Sequence, residues 1–141
     1  MQSLLGSAGC ILSAVIILLK LGKGRDEINV VSDQTGSPTY ATDLAGVLLE
    51  IINNKNYRDK EQSTEIYHYS NEDKISWYDF AKEIFKIAKI DCVVNPVTTD
   101  QYPTPAKRPR NTFMDKNKIF LENRINTVFW SDSLEKSLLK I

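Results

Sequence analysis

The amino-acid sequence predicts a small α/β assembly with few short strands and about five helices. Apolar residues recur at helical spacing in several stretches, short β-branched runs lie between them, and polar or proline-rich loops separate the two. The 141 residues, 42% apolar and 26% charged, are typical of one globular domain. The sheet is too small for a complete doubly wound domain.

The first apolar stretch predicts a helix from Ile11 to Lys23, closed by Gly22 and Gly24. The apolar run within it is shorter than the roughly 20 residues that span a bilayer, and its first lysine, Lys20, follows rather than precedes it. We favour the interpretation that this segment is a buried helix. A rearranged, non-native leader and a membrane anchor are the two alternatives.

Short strands and a further helix are expected in the middle of the chain. The helix spans Tyr40 to Ile52, with its apolar residues on one face, and a polar surface loop follows from Asn54 to Ser63. The β-branched and aromatic runs predict strands at Ile28–Val31, Glu65–Tyr69 and Cys92–Val97.

The clearest helix begins after Ser76, which has capping-box spacing with Asp79. A proline-punctuated loop from Asp100 to Asn111 and two short helices, near Lys116–Glu122 and Ser131–Lys140, follow. The predicted buried stripe of the Ser76 helix comprises Trp77, Phe80, Ala81, Ile84, Phe85 and Ala88.

Charge and cysteine usage argue against several classes of function. Eighteen basic and eighteen acidic residues cancel, so we do not expect nucleic-acid binding. The single histidine, His68, has no partner at metal-ligand spacing, and no Cys-x-x-Cys is present, so we expect no metal site. Two distant cysteines, Cys10 and Cys92, fit a reducing cytoplasm better than a disulfide scaffold.

A nicotinamide-binding turn is not found in the sequence. Such a turn places glycines between a strand and a helix, and no glycine here has that context. Tyr78 and Lys82 match the Tyr-x-x-x-Lys pattern of short-chain dehydrogenases. The pattern is short and has no cofactor fold upstream, so we favour a structural role for this pair.

Two loops carry groups suited to a nucleotide. Gln34, Pro38 and Thr39 precede a predicted helix, and the glutamine amide can donate and accept hydrogen bonds. Arg108 lies in a proline-stiffened loop and can bind phosphate in a bidentate manner. The alternatives are a helix entry with Thr39 as N-cap and a solvated basic loop.

Four ordered blocks resemble the dTDP-4-dehydrorhamnose reductase family. They are Val30–Ala41, Ile66–Asn71, Ser76–Ala81 and Tyr102–Pro109. The resemblance identifies the chain as the C-terminal substrate-binding portion of an extended short-chain dehydrogenase, with the Rossmann half missing.

The resemblance implies a substrate, a cofactor and a set of site residues. The family reduces dTDP-4-dehydro-L-rhamnose to dTDP-L-rhamnose with NADPH, and its catalytic residues lie in the Rossmann half. Gln34, Pro38 and Thr39 would line the nucleotide-sugar pocket, and Arg108 would approach the diphosphate. No catalytic or cofactor-binding residue is expected in this chain. Its expected partners are a dTDP-sugar and either a separate Rossmann half or a second copy of the chain, in the cytoplasm and without membrane contact.

Two departures from the family limit the carry-over. A magnesium-binding glutamate of some members falls near Thr42, which is not such a ligand, so no metal is carried over. The match stops before Lys20, so residues 1–19 are expected to form a separate apolar leader helix and residues 20–141 the sugar-nucleotide-binding domain. A truncated or frame-shifted reading frame is our hypothesis for both the leader and the missing half, and a non-catalytic or partner-dependent binding module is the alternative function.

Overall fold

The computed structural model describes residues 11–54 and 64–139, with side chains from Ser13 onward. The described residues form an α/β structure with five α-helices and four short strands. The predicted loop between Asn54 and Ser63 lies almost entirely outside the described residues, as do Cys10 and Lys140. In chain order the elements are α1 (Ile11–Lys23), β1 (Glu27–Val31), β2 (Thr35–Gly36), α2 (Ala41–Asn53), β3 (Ile75–Ser76), α3 (Trp77–Ala88), β4 (Val93–Val97), a 3-10 turn (Thr99–Gln101), α4 (Asn117–Asn123) and α5 (Trp130–Leu138).

The longer sheet consists of β1 and β4, which pair in parallel. Glu27 lies opposite Val93 and Val31 opposite Val97, so the two strands are in register from end to end. Parallel strands need a long crossover, and here the chain passes through α2 and α3 between them. The pairing therefore brings the segments that follow Val31 and Val97 to the same edge of the sheet.

A short strand joins two loops that the sequence analysis treated separately. β2 pairs with β3 in antiparallel orientation, with Thr35 opposite Ser76. On its other side the Thr35 N–H donates to the Arg110 carbonyl at 2.9 Å, and the Thr112 N–H donates to the Thr35 carbonyl at 2.9 Å. The loop around Gly36 and the proline-rich loop are thus held together by backbone hydrogen bonds.

The predicted helix after Ser76 is confirmed. The Ser76 hydroxyl oxygen accepts a hydrogen bond from the Asp79 backbone N–H at 3.0 Å, which satisfies one of the free donors of the first turn. Phe80 and Ile84 are almost fully buried, as the stripe predicted. Trp77, predicted to belong to that stripe, is 36% exposed instead.

The main hydrophobic core lies where α1, α3 and α5 meet β1. Val15 and Leu18 of α1 pack there with Ile84 of α3 and Leu134 of α5, each at most 2% exposed. The apolar run that preceded Lys20 in the sequence is therefore part of the core, as the buried-helix interpretation expected. Within the two described ranges, no helix combines the length and apolar composition needed to cross a bilayer.

The predicted strand at Glu65–Tyr69 is wrong. This segment belongs to no strand. Tyr67 and Tyr69 pack instead against a smaller apolar cluster of Val47 and Ile119. Exposure does alternate along the segment, with Tyr67 and Tyr69 less exposed than Ile66 and His68, but the segment lies against helices rather than beside another strand.

The apolar face predicted for α2 is also only partly buried. Val47 is the buried residue of this helix, whereas Leu48 and Ile52 are 51% and 54% exposed. Apolar residues cover a wider arc of this helix than the arc that is buried. Helical periodicity alone therefore did not identify the side that packs against the rest of the structure.

The close contact between α1 and α3 gives a stability prediction. A Cβ at Gly22 would lie 2.6 Å from Cζ of Phe85 and 3.1 Å from Cγ2 of Ile90. Gly22→Ala is expected to lower the free energy of unfolding by about 1–3 kcal/mol, because the helices must separate to admit the methyl group. Urea denaturation followed by circular dichroism measures the change.

The matched control is Gly46→Ala, in the interior of α2, where nothing lies within 4 Å of an added Cβ. There the substitution is expected to raise stability by about 0.5–1 kcal/mol, since alanine favours a helix. Equal effects at both positions would contradict the packing of α1 on α3.

Candidate functional site

An open pocket of about 250 Å³ runs along β1. Its floor is formed by β1 and by two leucines of α1, and its walls by the start of α3 and the proline-rich loop. The lining residues are Leu18, Leu21, Arg25, Ile28, Asn29, Val30, Val31, Gln34, Trp77, Tyr102, Thr104 and Arg108.

Gln34 enters the pocket at the carboxyl end of β1. The residue is 9% exposed, and its backbone carbonyl accepts a hydrogen bond from the Trp77 N–H at 3.3 Å. This bond joins the segment after β1 to the first residue of α3. The indole of Trp77 then lies on the same pocket wall, edge-on to Phe80 at a centroid distance of 6.1 Å.

Asp33 and Gln34 both bind Thr99, which follows β4. Thr99 donates to Oδ1 of Asp33 twice, from its backbone N–H at 2.9 Å and from its hydroxyl at 2.7 Å. The Gln34 amide nitrogen donates to the Thr99 hydroxyl oxygen at 3.1 Å. These contacts follow from the parallel pairing, because Val31 and Val97 end side by side.

The charge of Asp33 is stabilised by these contacts. The hydroxyl hydrogen bond from Thr99 is the largest cause that lowers the pKa of the Asp33 carboxyl below its ordinary value of 3.8. Partial burial opposes it, and the backbone N–H of Thr99 adds to the lowering. Arg110 contributes least, since its guanidinium lies 3.9 Å away and is 73% exposed.

Arg108 reaches the pocket from the proline-rich loop, together with Tyr102 and Thr104. The anchoring of this loop to Thr35 through Arg110 keeps it beside the sheet. A second arginine, Arg25, lines the pocket from the turn before β1. The lining thus combines two guanidinium groups with two aromatic rings and contains no acidic side chain.

Two of the four predicted site residues, Gln34 and Arg108, lie together in the pocket lining, and Pro38 and Thr39 do not. Pro38 and Thr39 are half-buried in the segment that leads to α2. The Thr39 hydroxyl donates to the Ser37 carbonyl at 3.4 Å, and the N-cap of α2 is Tyr40 rather than Thr39.

Sequence reasoning missed several residues of this site. Trp77 was interpreted as core because it lies at helical spacing from buried positions. Arg25 had no signal beyond being a charged residue in a turn, where charges usually face water. Asp33 and Thr99 are 66 positions apart, so only the pairing of β1 with β4 reveals that they meet.

The Tyr-x-x-x-Lys pair lies elsewhere on α3. Tyr78 and Lys82 are not among the pocket residues, and the Lys82 ammonium lies over the Tyr78 ring at 5.0 Å from its centroid. Among the residues that the structure describes, no group of three or more His, Cys, Asp and Glu could hold a metal ion.

Comparison with known proteins finds a family match over almost the whole chain. The model of the RmlD substrate binding domain matches residues 5–141, a range that includes most of the apolar leader segment. A dTDP-4-dehydrorhamnose reductase of Aggregatibacter actinomycetemcomitans is 40% identical over 124 residues, which are 84% of this chain and 42% of that protein. The chain therefore spans less than half the length of such relatives.

Solved structures of similar proteins have the same fold in the matched region. A dTDP-4-dehydrorhamnose reductase of Clostridium acetobutylicum is 40% identical, with a TM-score of 0.80 over 90% of this chain and 44% of its own. A dTDP-4-dehydrorhamnose reductase of Bacillus anthracis, in complex with NADP, is 35% identical with a TM-score of 0.81 over 90% of this chain and 43% of its own. The α/β fold expected for part of an extended short-chain dehydrogenase is confirmed.

The lowered pKa of Asp33 predicts how stability changes with acid. A carboxyl with a lowered native pKa stabilises the fold above its ordinary value of 3.8 and loses that contribution as pH falls through the native value. Asp33→Asn should therefore be less stable than the wild type at neutral pH, and the difference should shrink below about pH 4. Urea unfolding between pH 3 and pH 7 measures it.

Arg110→Gln is the matched control for this measurement. Because Arg110 contributes least to the pKa of Asp33, its variant should keep the acid sensitivity of the wild type. A stability difference between wild type and Asp33→Asn that is constant with pH would refute the assigned charge stabilisation.

Proposed function

Because the chain belongs to the RmlD substrate binding domain family, we propose that its pocket binds the nucleotide part of a dTDP-sugar. The observation that carries this proposal is the meeting of Gln34 and Arg108 in one pocket with Trp77 and Tyr102. Aromatic rings offer apolar faces to a base, and an arginine suits a diphosphate because its donors match two phosphate oxygens. Gln34 supplies the polar group that orients the ligand.

The charge of the lining supports an anionic ligand. Arg25 and Arg108 both line the pocket, and no acidic residue is among its lining residues. A nucleoside diphosphate could accept hydrogen bonds from guanidinium groups at this site. Sites for small ligands usually combine a largely apolar lining with a few polar groups. Here β1 and α1 supply the apolar part of the lining.

The size of the pocket limits how much of the ligand it encloses. About 250 Å³ is slightly below the roughly 300–1,000 Å³ of typical small-molecule sites. We propose that the described residues enclose the base and the diphosphate and contact only part of the sugar. In the relatives the remaining length of the chain would then complete the sugar-binding side.

For the whole protein we propose the NADPH-dependent reduction of dTDP-4-dehydro-L-rhamnose to dTDP-L-rhamnose. The described residues do not fit the cofactor, because β1 leads into β2 rather than into a helix. At Gly36, the space that a Cβ would occupy is filled by the Thr112 hydroxyl. No step of the reaction is therefore assigned to NADPH on these residues.

A second candidate is a binding module that depends on a partner. Parallel sheets are normally covered on both faces and contain several strands. The parallel sheet formed by the described residues has two, β1 and β4, and the chain spans 42% of the first relative. A separate cofactor-binding half could add strands to this sheet, and a second copy of the chain is the alternative partner.

Ligand binding tests the proposed pocket directly. Titration calorimetry with dTDP should show binding to the 141-residue chain, and Arg108→Ala should weaken it by roughly 10- to 100-fold, as expected for loss of hydrogen bonds to a charged group. Lys107→Ala is the matched control, because Lys107 is exposed and does not line the pocket. No binding at millimolar dTDP, or equal losses in both variants, would refute the pocket.

Catalysis distinguishes the two candidates. The chain alone is expected not to oxidise NADPH in the presence of dTDP-4-dehydro-L-rhamnose, since we assign no catalytic residue to it. Absorbance at the nicotinamide band gives the rate. Turnover by the purified chain would contradict this expectation. Turnover that begins only when the cofactor-binding half of a related reductase is added would favour the partner-dependent module.

A further inference from the structure

We propose that Asp33 and Thr99 are positioning residues that hold the amide of Gln34 with its carbonyl oxygen toward the pocket. The pocket would then select a ligand that presents a hydrogen-bond donor at that point. The inference rests on the proposed function, which puts a nucleotide sugar in the same pocket. The inference goes beyond the proposed function because it assigns a direction to the hydrogen bond of Gln34. It also assigns a role to Asp33 and Thr99, which do not line the pocket.

The direction follows from what each group can do. The Asp33 carboxylate can only accept, so the Thr99 hydroxyl must give it its single proton across the 2.7 Å contact. The hydroxyl oxygen is then left with lone pairs alone and can only accept from the next group. The atom of Gln34 that faces it at 3.1 Å is therefore the amide nitrogen and not the carbonyl oxygen.

The second hydrogen bond to Asp33 makes this arrangement rigid. The backbone N–H of Thr99 donates to the same carboxylate oxygen at 2.9 Å, so the carboxylate is held at two points by one residue. Rotation of the Thr99 hydroxyl away from Asp33 would leave the charged oxygen with only the backbone N–H of Thr99 as donor. That loss costs more than the loss of a neutral hydrogen bond.

The carbonyl oxygen of Gln34 remains for the ligand. None of the described residues donates to Oε1 of Gln34, and this atom is not among their fully buried polar atoms without a partner. The oxygen therefore retains some exposed surface among the described residues, although the residue as a whole is 9% exposed. An acceptor in such a protected place favours a ligand that donates to it and penalises one that leaves it unpaired.

Two parts of a dTDP-sugar could supply the donor. The thymine ring has one imide N–H, and the sugar has hydroxyl groups. Both present the same chemistry, a neutral donor to a neutral acceptor. Thymidine diphosphate methylated at N3 removes the first donor, and the comparison of dTDP with dTDP-rhamnose measures the contribution of the second.

The variants Thr99→Val and Thr99→Ser separate positioning from packing. Valine keeps the shape of the side chain but removes the hydroxyl, whereas serine keeps the hydroxyl. Wild type should bind one member of a ligand pair more tightly by roughly 3- to 10-fold, the range of a neutral hydrogen bond. Thr99→Val should bring that ratio close to one, and Thr99→Ser should preserve it. Calorimetry gives the ratios, and circular dichroism confirms that each variant is folded.

Asp33→Ala is a second variant, which removes the acceptor of the Thr99 hydroxyl instead of the hydroxyl itself. Without the carboxylate, the Thr99 hydroxyl is free to donate to Gln34, and the amide can turn its nitrogen toward the pocket. The same ligand preference should then disappear although Thr99 and Gln34 are both present. A purely structural role for Asp33 would weaken both members of a ligand pair equally and leave their ratio unchanged.

Nuclear magnetic resonance follows the amide without any ligand. The side-chain NH2 protons of Gln34 should exchange slowly in wild type and in Thr99→Ser, and faster in Thr99→Val. If the folded Thr99→Val protein binds dTDP and keeps the wild-type ratios for both ligand pairs, the positioning role is refuted while the proposed function stands. If wild type binds none of these ligands, the proposed function fails, and the selectivity fails with it.

Discussion

The parallel pairing of β1 with β4 is the constraint on which the pocket depends. It joins residues more than sixty positions apart and aligns the two strands from Glu27 with Val93 to Val31 with Val97. Because both strands end at the same edge of the sheet, the pairing itself brings the polar groups that follow each strand into contact. A shift of the register by one residue would turn every side chain of one strand to the opposite face and would separate Asp33 from Thr99.

A second, buried polar cluster sets the path of the chain from the pocket to α2. Asn71 is fully buried; its Oδ1 accepts from the Tyr40 N–H at 2.8 Å, and its Nδ2 donates to Oδ2 of Asp43 at 2.7 Å. The Ser37 hydroxyl and the Lys116 ammonium both donate to the backbone carbonyl of Asn71.

Pro38 and Thr39, the two predicted ligand residues that do not line the pocket, lie between Ser37 and Tyr40, which both bind Asn71. Their segment is therefore fixed by the interior, which explains why it contains polar residues without contributing to the pocket lining.

The sequence was sufficient for the features that depend on neighbouring residues. The bounds of α1, the cap of α3 at Ser76 and the strand ending at Val97 all follow from local spacing and propensity, and all are confirmed. It was insufficient where distant segments compete for the same surface. Glu65–Tyr69 alternates as a strand does, yet it packs on helices, and which side of α2 is buried depends on Ile119 and Tyr67 rather than on α2 itself. Gln34 and Arg108 were predicted as ligand residues from their chemistry, but that they line one pocket depends on the tertiary fold.

The hydrophobic core contributes more to the stability of the fold than the polar site does, so residues of the polar site can change while the core stays folded. Each large apolar side chain buried among α1, α3 and α5 contributes about 1.5–3 kcal/mol. A neutral hydrogen bond such as that between Gln34 and Thr99 contributes about 0.5–1.5 kcal/mol. Loss of the Thr99 hydroxyl would remove this bond and the charge-assisted bond to Asp33, and with them the proposed constraint on the direction of the Gln34 amide. The proposed selectivity for a hydrogen-bond donor depends on this polar pair, whereas the stability of the fold depends on core residues such as Phe80 and Leu134, which do not line the pocket.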